Sequence, residues 1–249
     1  MNLVRRAKNY VKRVVNDFSS DFRIIKRQNA ELLWASTWNN TKEGIEWLQK
    51  PISLSPGRWA VGYNYLYVMT RILNDTEPHK ILDLGLGISS TLISQYFDYY
   101  GFKNGEHTII ENNRDWVNFY TKKRKLSSSS KITICNCVTK KHQEHDYNAY
   151  EKLSDILIGK KYDVISIDGP RGTIGEASRR DILEYIPDIL NDNFIIIIDD
   201  AERLGEQNTI QEIKNILSRC KIEYCCGYYV GETDLCVLTS PKYEWVCTL

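Results

Sequence analysis

The segment from His79 to Thr91 constrains the fold of this chain more than any other part of its sequence. It consists of an apolar run with an internal acid, followed by two glycines and then a group of hydroxyl residues. The pattern predicts a buried strand, a tight turn and the start of a helix. Gly85 and Gly87 allow another backbone or a ligand to approach the turn closely, because neither residue carries a Cβ. A turn of this kind before a helix N-terminus typically holds a nucleotide-like ligand.

The rest of the chain alternates between strand-like and helix-like patterns. Further strands are predicted near residues 107–111, 131–137, 162–168, 193–199, 222–226 and 235–238, and helices near 150–158, 174–190 and 208–218. The alternation predicts an α/β fold with a Rossmann-like, doubly wound sheet of seven strands. The uninterrupted apolar run from Phe194 to Ile198 indicates a strand that is buried on both faces. The last two strands are close in sequence and are predicted to pair as an antiparallel hairpin.

The third position of the glycine motif distinguishes two kinds of nucleotide site. The dinucleotide-binding fingerprint has a third glycine where this chain has Ser90. Asp83-x-Gly85-x-Gly87, followed by Ser-Ser-Thr, resembles motif I of the class I S-adenosylmethionine (SAM) methyltransferases. A terminal antiparallel hairpin is also typical of that family. The resemblance implies that the turn holds SAM, with Asp83, Gly85, Gly87, Ser89 and Ser90 as binding residues.

Two further features are candidates for the cofactor site. Glu111 ends the second predicted strand, where an acid can accept hydrogen bonds from both ribose hydroxyls; alternatively it is a helix-start acid favoured by the helix dipole. Asn112 is either a second cofactor contact or an ordinary helix cap. Arg58 lies in a Pro-Gly loop before the first strand and is a candidate partner for a carboxylate. Trp59 and Tyr63, which follow it, either stack on the ligand or pack on the sheet.

Three acids follow two neighbouring predicted strands. Asp168 ends one strand, and Asp199 with Asp200 ends the next, so their carboxylates are expected at the same edge of the sheet. Without a basic partner they would repel each other, and bound Mg²⁺ or Mn²⁺ would relieve that repulsion. The placement resembles the metal-dependent O-methyltransferases of the catechol type and of the macrolide- and aminocoumarin-sugar type, which implies that these three residues bind the metal. The alternatives are a general base at Asp168 without a metal, and an acidic cluster paired with Arg203.

A longer resemblance surrounds the strand that ends at Asp168. Residues 163–172, Asp-Val-Ile-Ser-Ile-Asp-Gly-Pro-Arg-Gly, and 175–181, Gly-Glu-Ala-Ser-Arg-Arg-Asp, resemble the glucuronoxylan 4-O-methyltransferase group. This resemblance implies a SAM-dependent O-methyltransferase that acts on a sugar hydroxyl of a surface polysaccharide or its precursor. Arg171 would then join the three acids in the catalytic site and clamp an anionic sugar or phosphate; alternatively it is a surface arginine. His142 or His145, in a polar stretch further upstream, is a candidate general base.

Composition limits the other functions. The formal net charge of +1 over 249 residues gives no basis for binding a bulk polyanion, so no nucleic-acid partner is predicted. The seven cysteines are expected to be reduced thiols of a cytoplasmic protein. The sequence has neither a long apolar segment nor a secretory signal pattern. A catechol-type O-methyltransferase, a NAD-binding oxidoreductase and a non-catalytic binding module remain as alternatives.

The N-terminal part of the chain has a different pattern. Residues 1–50 are predicted to be a basic amphipathic helical extension, and residues 51–249 the methyltransferase domain. Apolar residues at three- and four-residue steps form a single stripe that consists of Val4, Ala7, Val11, Val14, Phe18, Phe22 and Ile25. Because basic residues surround this stripe, residues 1–30 fit contact with the inner face of an anionic membrane. Self-association in a coiled coil or packing on the domain fits the same stripe.

Overall fold

The described part of the chain covers residues 2–48, 54, 60–172 and 175–249 of a computed structural model. For residues 2–7 and 9–20 the description is limited to the backbone. The loop candidates Arg58 and Trp59 lie outside the described residues. The side chains of the apolar stripe from Val4 to Phe18 lie outside them as well, so its predicted contacts stay predictions.

Within the described residues, seven strands form one mixed sheet, and two more form a separate hairpin. In chain order the strands are β1 (Lys80–Leu84), β2 (Glu106–Glu111), β3 (Ser130–Ile134), β4 (Cys137–His142), β5 (His145–Tyr150), β6 (Tyr162–Ile167), β7 (Leu190–Ile198), β8 (Cys225–Tyr229) and β9 (Leu235–Thr239). The large sheet has the order β3-β2-β1-β6-β7-β9-β8. Its first five strands are parallel, and β9 is antiparallel to both β7 and β8. The predicted doubly wound sheet with a terminal antiparallel hairpin is confirmed.

Helices pack against both faces of this sheet. The α-helices are α1 (Asn2–Lys42), α2 (Tyr63–Thr76), α3 (Ile88–Tyr100), α4 (Arg114–Lys123), α5 (Ser154–Leu157) and α6 (Leu204–Arg219). Short 3₁₀ helices cover Glu46–Leu48, Arg180–Glu184 and Pro241–Thr248. The glycine turn connects β1 directly to α3, as the opening segment predicts.

Strand β7 shows why both faces of the sheet are apolar. Its residues alternate, so that Ile195 and Ile197 join the core on the side of α2 and α3, whereas Ile196 and Ile198 join the core on the side of α6. All four side chains are at most 1% exposed. The prediction of a strand buried on both faces is therefore confirmed.

The predicted helix over residues 174–190 was wrong. Among residues 175–190 the structure has a 3₁₀ helix at Arg180–Glu184 and otherwise turns and the start of β7. Pro187 contributes to this outcome, because proline lacks an amide hydrogen and its ring clashes with the preceding helical turn. The apolar spacing in this segment instead places Ile182, Ile186 and Ile189 in the core beside α6.

The polar stretch after β3 forms the two-stranded hairpin β4–β5. The single strand predicted over residues 131–137 ends at Ile134, and β4 begins at Cys137. Tyr147 and Ala149 alternate along β5 and are buried. This alternation is difficult to recognise in the sequence, because the preceding strand β4 is rich in charged residues. The hairpin pairs Cys137 with Tyr150 and therefore begins and ends beside the carboxyl edge of the large sheet.

The second half of α1 belongs to the main core. Trp38 is 4% exposed and shares a core cluster with Trp47, α2 and the sheet. The predicted boundary at residue 50 therefore does not separate two cores. The described end of the apolar stripe does not pack on the domain, since Phe22 and Ile25 are 61% and 54% exposed. Among the described residues, no helix is long and apolar enough to cross a membrane.

Candidate active site

The turn after β1 requires glycine at its first position. Gly85 has a φ of +109°, in a region of backbone conformation that residues with a side chain rarely adopt. Its amide donates to the carbonyl of Ile110 at 2.9 Å, which ties the turn to β2. Gly85 also lies against the end of β6, since a Cβ placed on it would be in ordinary van der Waals contact, at 3.5 Å, with the backbone carbon of Asp168. The turn is therefore locked between the two strands that flank β1.

Asp83 and Ser90 hold this turn from the inside. Asp83 is completely buried, and its Oδ2 accepts hydrogen bonds from the hydroxyls of Ser90 at 2.6 Å and Ser89 at 3.3 Å. The Ser90 hydroxyl in turn accepts from the amide of Gly87 at 3.1 Å. The serine at the position of the third glycine thus closes the turn. Asp83 lies beneath the turn, whereas Gly85, Gly87 and Ser89 line the cleft above it.

Glu111 lies at the end of β2 and lines the same cleft. Its Oε1 accepts from the amides of Asn112 at 2.7 Å and Asn113 at 2.8 Å, and its Oε2 accepts from the amide of Leu86 at 3.0 Å. These three bonds fix the carboxylate and leave about one acceptor position, on Oε2, for a ligand, since a carboxylate has about four acceptor positions. The helix cap belongs to Asn113, whose side chain accepts from the amide of Trp116. Asn112 lines the cleft and does not cap α4.

Two aromatic residues of α4, absent from the sequence-based candidates, form one wall of the cleft. Trp116 donates from its indole nitrogen to the carbonyl of Leu86 at 2.7 Å, which fixes the ring beside the glycine turn. The ring of Phe119 lies 5.6 Å from that of Trp116 at an interplanar angle of 25°. Both side chains stay partly exposed, at 39% and 56%. The sequence could have indicated both residues, because they are spaced by three on a helix directly after Glu111.

Asp168, Asp199 and Asp200 meet at the carboxyl ends of β6 and β7, as predicted. One oxygen of each carboxylate lies within 4.8 Å of the other two. The Asp168 side chain is 29% exposed and faces the cleft, while that of Asp200 is 8% exposed. Burial and the charge of Asp199 raise the pKa of Asp168 well above its usual value. Burial and the charge of Asp200 raise the pKa of Asp199 to about 6.

The buried guanidinium of Arg179 lies among these carboxylates. Its Nη2 is 2.7 Å from Oδ2 of Asp200 and 3.2 Å from Oδ1 of Asp168. Its Nη1 donates to the backbone carbonyls of Asp199 at 2.9 Å and Ile167 at 3.3 Å. The side chain is only 3% exposed. The premise that the three acids have no basic partner was therefore wrong, although the sequence contains Arg179 in the segment resembling the glucuronoxylan enzymes.

A divalent cation does not fit these residues as they are arranged. Arg203 takes the second oxygen of Asp200 at 2.7 Å, so both oxygens of that carboxylate are already paired with guanidinium groups. A metal held by all three acids would displace Arg179 from Asp168 and Asp200 and leave its buried guanidinium with Glu206, at 3.6 Å, in place of three acidic partners. The predicted pairing of Arg203 with the acidic cluster is present, at Asp200.

The glycine turn and the carboxylates open into one cleft of about 1560 Å³. Arg171 and His145 lie on its rim, and His145 is 3.5 Å from Glu176. The carbonyl of Arg171 accepts from the side chain of Asn148 at 2.9 Å, which attaches the β4–β5 hairpin to the turn after β6. Tyr63 packs against the ring of Trp38 at 5.8 Å, in agreement with its packing alternative.

Comparisons with known proteins agree with this architecture. No protein-family model matches the chain, and no curated protein matches it. The O-methyltransferase TomG from Streptomyces achromogenes, involved in tomaymycin synthesis and solved in complex with SAM, superposes with a TM-score of 0.55. The two proteins are 12% identical, and the match covers 87% of this chain and 98% of TomG. The chain has a methyltransferase fold.

A second solved structure supports the same conclusion about the fold. A candidate O-methyltransferase from Klebsiella pneumoniae has a TM-score of 0.52 and 13% identity, with 84% of this chain and 98% of that protein covered. In a methyltransferase fold the carboxyl edge of the parallel strands is where a ligand cleft is expected. The glycine turn, Glu111 and the carboxylate cluster all lie at that edge.

Proposed function

We propose that this protein is a SAM-dependent O-methyltransferase. The observation that supports this best is the single cleft that joins the glycine turn and Glu111 to the cluster of Asp168, Asp199 and Arg179. One half of the cleft offers a nucleoside-binding surface, and the other offers groups that can orient and deprotonate a hydroxyl. The similarity in fold to an O-methyltransferase solved with SAM is consistent with this division.

The cofactor half supplies three kinds of contact. The turn around Gly85 and Gly87 would lie against the amino-acid part of SAM, because a Cβ at Gly87 would meet only open space and the Ser89 hydroxyl at 4.0 Å. The remaining acceptor position of Glu111, on Oε2, would accept a hydrogen bond from a ribose hydroxyl. The exposed faces of Trp116 and Phe119 would pack against the adenine ring.

The acceptor half supplies a base and a fixed positive charge. Methyl transfer forms a carbon–oxygen bond and breaks the carbon–sulfur bond of the sulfonium, so correct alignment supplies much of the rate. The acceptor hydroxyl proton would pass to Asp168, which reaches the cleft and whose raised pKa suits a general base. Arg179 would keep the Asp168 carboxylate in place. The products are the methyl ether and S-adenosylhomocysteine.

The acceptor that we propose is a sugar hydroxyl of a surface polysaccharide or its precursor. Its support is the resemblance of residues 163–172 and 175–181 to the glucuronoxylan 4-O-methyltransferase group, with Arg171 at the rim to contact an anionic group. A catechol-type small molecule is the second candidate acceptor. The similarity in fold to an enzyme involved in tomaymycin synthesis, rather than in glycan assembly, favours that candidate.

Titration calorimetry tests the proposed cofactor. SAM should bind, NAD should not, and addition of Mg²⁺ or EDTA should leave the SAM affinity unchanged. Absence of SAM binding at millimolar ligand would overturn the proposal. Asp168→Asn should retain SAM affinity, because that side chain lies on the acceptor side of the cleft.

Transfer of a labelled methyl group tests the acceptor. Polysaccharide fractions, sugar nucleotides and catechols would be compared as acceptors at equal concentration. Labelling of a sugar hydroxyl supports the proposal, and loss of that labelling in Asp168→Asn supports the role of the base. Labelling of catechols alone would replace the sugar with the second candidate.

A further inference from the structure

The turn between β8 and β9, residues 230–234, joins helix α1 to the carboxylate cluster. We call these residues the hairpin turn. One side of the hairpin turn contacts α1, and the other contacts the segment that follows β7. The proposed reaction uses neither α1 nor the hairpin turn, so these contacts require a separate explanation.

Arg27 makes most of the contacts on the α1 side. Its guanidinium forms a bidentate pair with Asp234, with Nη1 2.9 Å from Oδ1 and Nη2 3.1 Å from Oδ2. Nη1 also donates to the backbone carbonyls of Glu232 at 3.1 Å and Gly231 at 3.3 Å. Planar, bidentate pairs of this kind fix orientation as well as distance. Arg27 therefore holds both the side chain and the backbone of the hairpin turn.

Two more residues on the same face of α1 reinforce this contact. Trp34 donates from its indole nitrogen to the carbonyl of Val230 at 2.7 Å. Glu31 accepts the amide of Glu232 at 3.2 Å with one oxygen and the amide of Tyr63, at the start of α2, at 2.7 Å with the other. Residues 27, 31 and 34 are spaced by four and three, so they share one helix face.

The other side of the hairpin turn holds the acceptor half of the cleft. Thr233 donates to Oδ1 of Asp199 at 3.0 Å. The carbonyl of Asp234 accepts a hydrogen bond from the amide of Ala201 at 2.7 Å, and the amide of Asp234 donates to the side chain of Glu202 at 2.8 Å. The side chain of Asp234 thus pairs with Arg27, while the backbone of Asp234 bonds to the segment after Asp200.

We propose that Arg27 is a positioning residue for the carboxylate cluster, acting through the hairpin turn. The pair is partly exposed, with Arg27 at 32% and Asp234 at 19%, so its loss should cost little global stability. The Arg27–Asp234 pair instead fixes the position of Asp199 and of the backbone at Ala201. The effect on methyl transfer rests on the proposed function, whereas the mechanical connection does not.

Amide hydrogen exchange of the full chain tests the connection without any ligand. In Arg27→Met, the amides of Ala201 and Asp234 should exchange about tenfold faster or more, because local opening becomes easier. The amide of Gly85, which donates to Ile110 in β2, and the amide of Thr91, which donates to Gly87, should keep their rates. Lys26→Met is the matched control, since Lys26 is an exposed cation of the same helix turn, and it should change none of these rates.

Two further variants separate positioning from general loosening. Arg27→Lys keeps the charge and one hydrogen bond, and it should restore much of the protection at Ala201. Asp234→Asn weakens the pair from the other side and should reproduce the effect of Arg27→Met. Unchanged exchange at Ala201 in both Arg27→Met and Asp234→Asn would overturn the proposal. Equal acceleration throughout the molecule would overturn it as well.

Kinetics with an identified acceptor complete the test. Arg27→Met should lower kcat about tenfold and leave the dissociation constant of SAM unchanged, because the glycine turn is separate from the hairpin turn. An unchanged kcat would overturn the positioning role even if exchange accelerates. If SAM fails to bind the wild type, the proposed function fails, yet the exchange experiment still decides whether Arg27 holds the carboxylate side.

Discussion

Nη2 of Arg179 lies 2.7 Å from Oδ2 of Asp200, and the same nitrogen lies 3.2 Å from Asp168. One buried nitrogen therefore links the acids that follow two neighbouring strands. The positive charge of Arg179 therefore lies among the acids, where a metal cation would be expected if the acids had no basic partner. The positive charge of Arg179 also opposes the burial that raises the pKa of Asp168.

Removal of Arg179 should be severely destabilising. Arg179→Met leaves Asp168 and Asp200 without their shared buried partner, and breaking a buried ion pair on one side typically costs about 3–5 kcal/mol. Denaturant unfolding measures this loss. Arg203→Met is the matched comparison, because Arg203 is 49% exposed and pairs with the same carboxylate, and it should cost about 1 kcal/mol or less. Equal losses in the two variants would contradict the central role of Arg179.

The two glycines of the turn should respond differently to alanine. Gly85→Ala forces a side chain into a φ of +109° and should cost about 1–3 kcal/mol of folding free energy. Gly87 has an extended backbone with a φ of −160°, so Gly87→Ala should leave stability nearly unchanged.

SAM affinity should show the reverse contrast. The Cβ added at Gly87 projects into the cleft, so Gly87→Ala should weaken SAM binding at least tenfold while the protein stays folded. Thermal unfolding and calorimetry on the same samples check both expectations. A Gly87→Ala variant that binds SAM as tightly as the wild type would show that the cofactor does not approach this turn.

Trp116 should contribute to SAM binding through its ring. Trp116→Ala removes an aromatic face held in place by Leu86, and we expect about a tenfold loss of affinity, or about 1.4 kcal/mol. Trp116→Phe should retain part of it. Trp245→Ala is the control, since that tryptophan is similarly exposed at 37% but belongs to the C-terminal 3₁₀ helix. Calorimetry gives the three affinities, and equal losses for Trp116 and Trp245 would reject the stacking surface.

Asp181 should make stability depend on pH. Burial raises its pKa from the ordinary value of 3.8 to about 6, and its Oδ2 accepts the amide of Tyr150 at 2.8 Å. Because the folded protein favours the protonated acid, this contribution to stability is present below about pH 4 and is lost as the pH rises to 6.

Asp181→Asn stays neutral and keeps an acceptor for Tyr150. Between pH 4 and 7 the stability of this variant relative to wild type should therefore rise by up to about 3 kcal/mol, the free-energy equivalent of raising the pKa from 3.8 to about 6. Denaturant unfolding at several pH values measures the difference. Parallel stability curves for the two proteins would show that Asp181 titrates normally.

Local patterns in the sequence were sufficient for much of the fold and part of the site. The strand, turn and helix around Gly85, the all-apolar strand from Phe194 to Ile198 and the terminal hairpin follow from hydrophobic period and turn chemistry. The meeting of Asp168 with Asp199 also follows, because neighbouring parallel strands end at the same edge. Local patterns could not show that residues 174–190 do not form one helix, since their apolar spacing suits both a helix and an irregular core segment.

By itself, the sequence determined the sheet, the glycine turn and the edge at which the acids collect, because each depends on short-range pattern and strand direction. Only the tertiary structure decided which charges balance those acids and which element holds them. Arg179 reaches Asp200 across 21 residues of chain, and Arg27 reaches Asp234 across 207. Ion pairs of such separation depend on how finished elements pack, and no local period in the sequence encodes that packing.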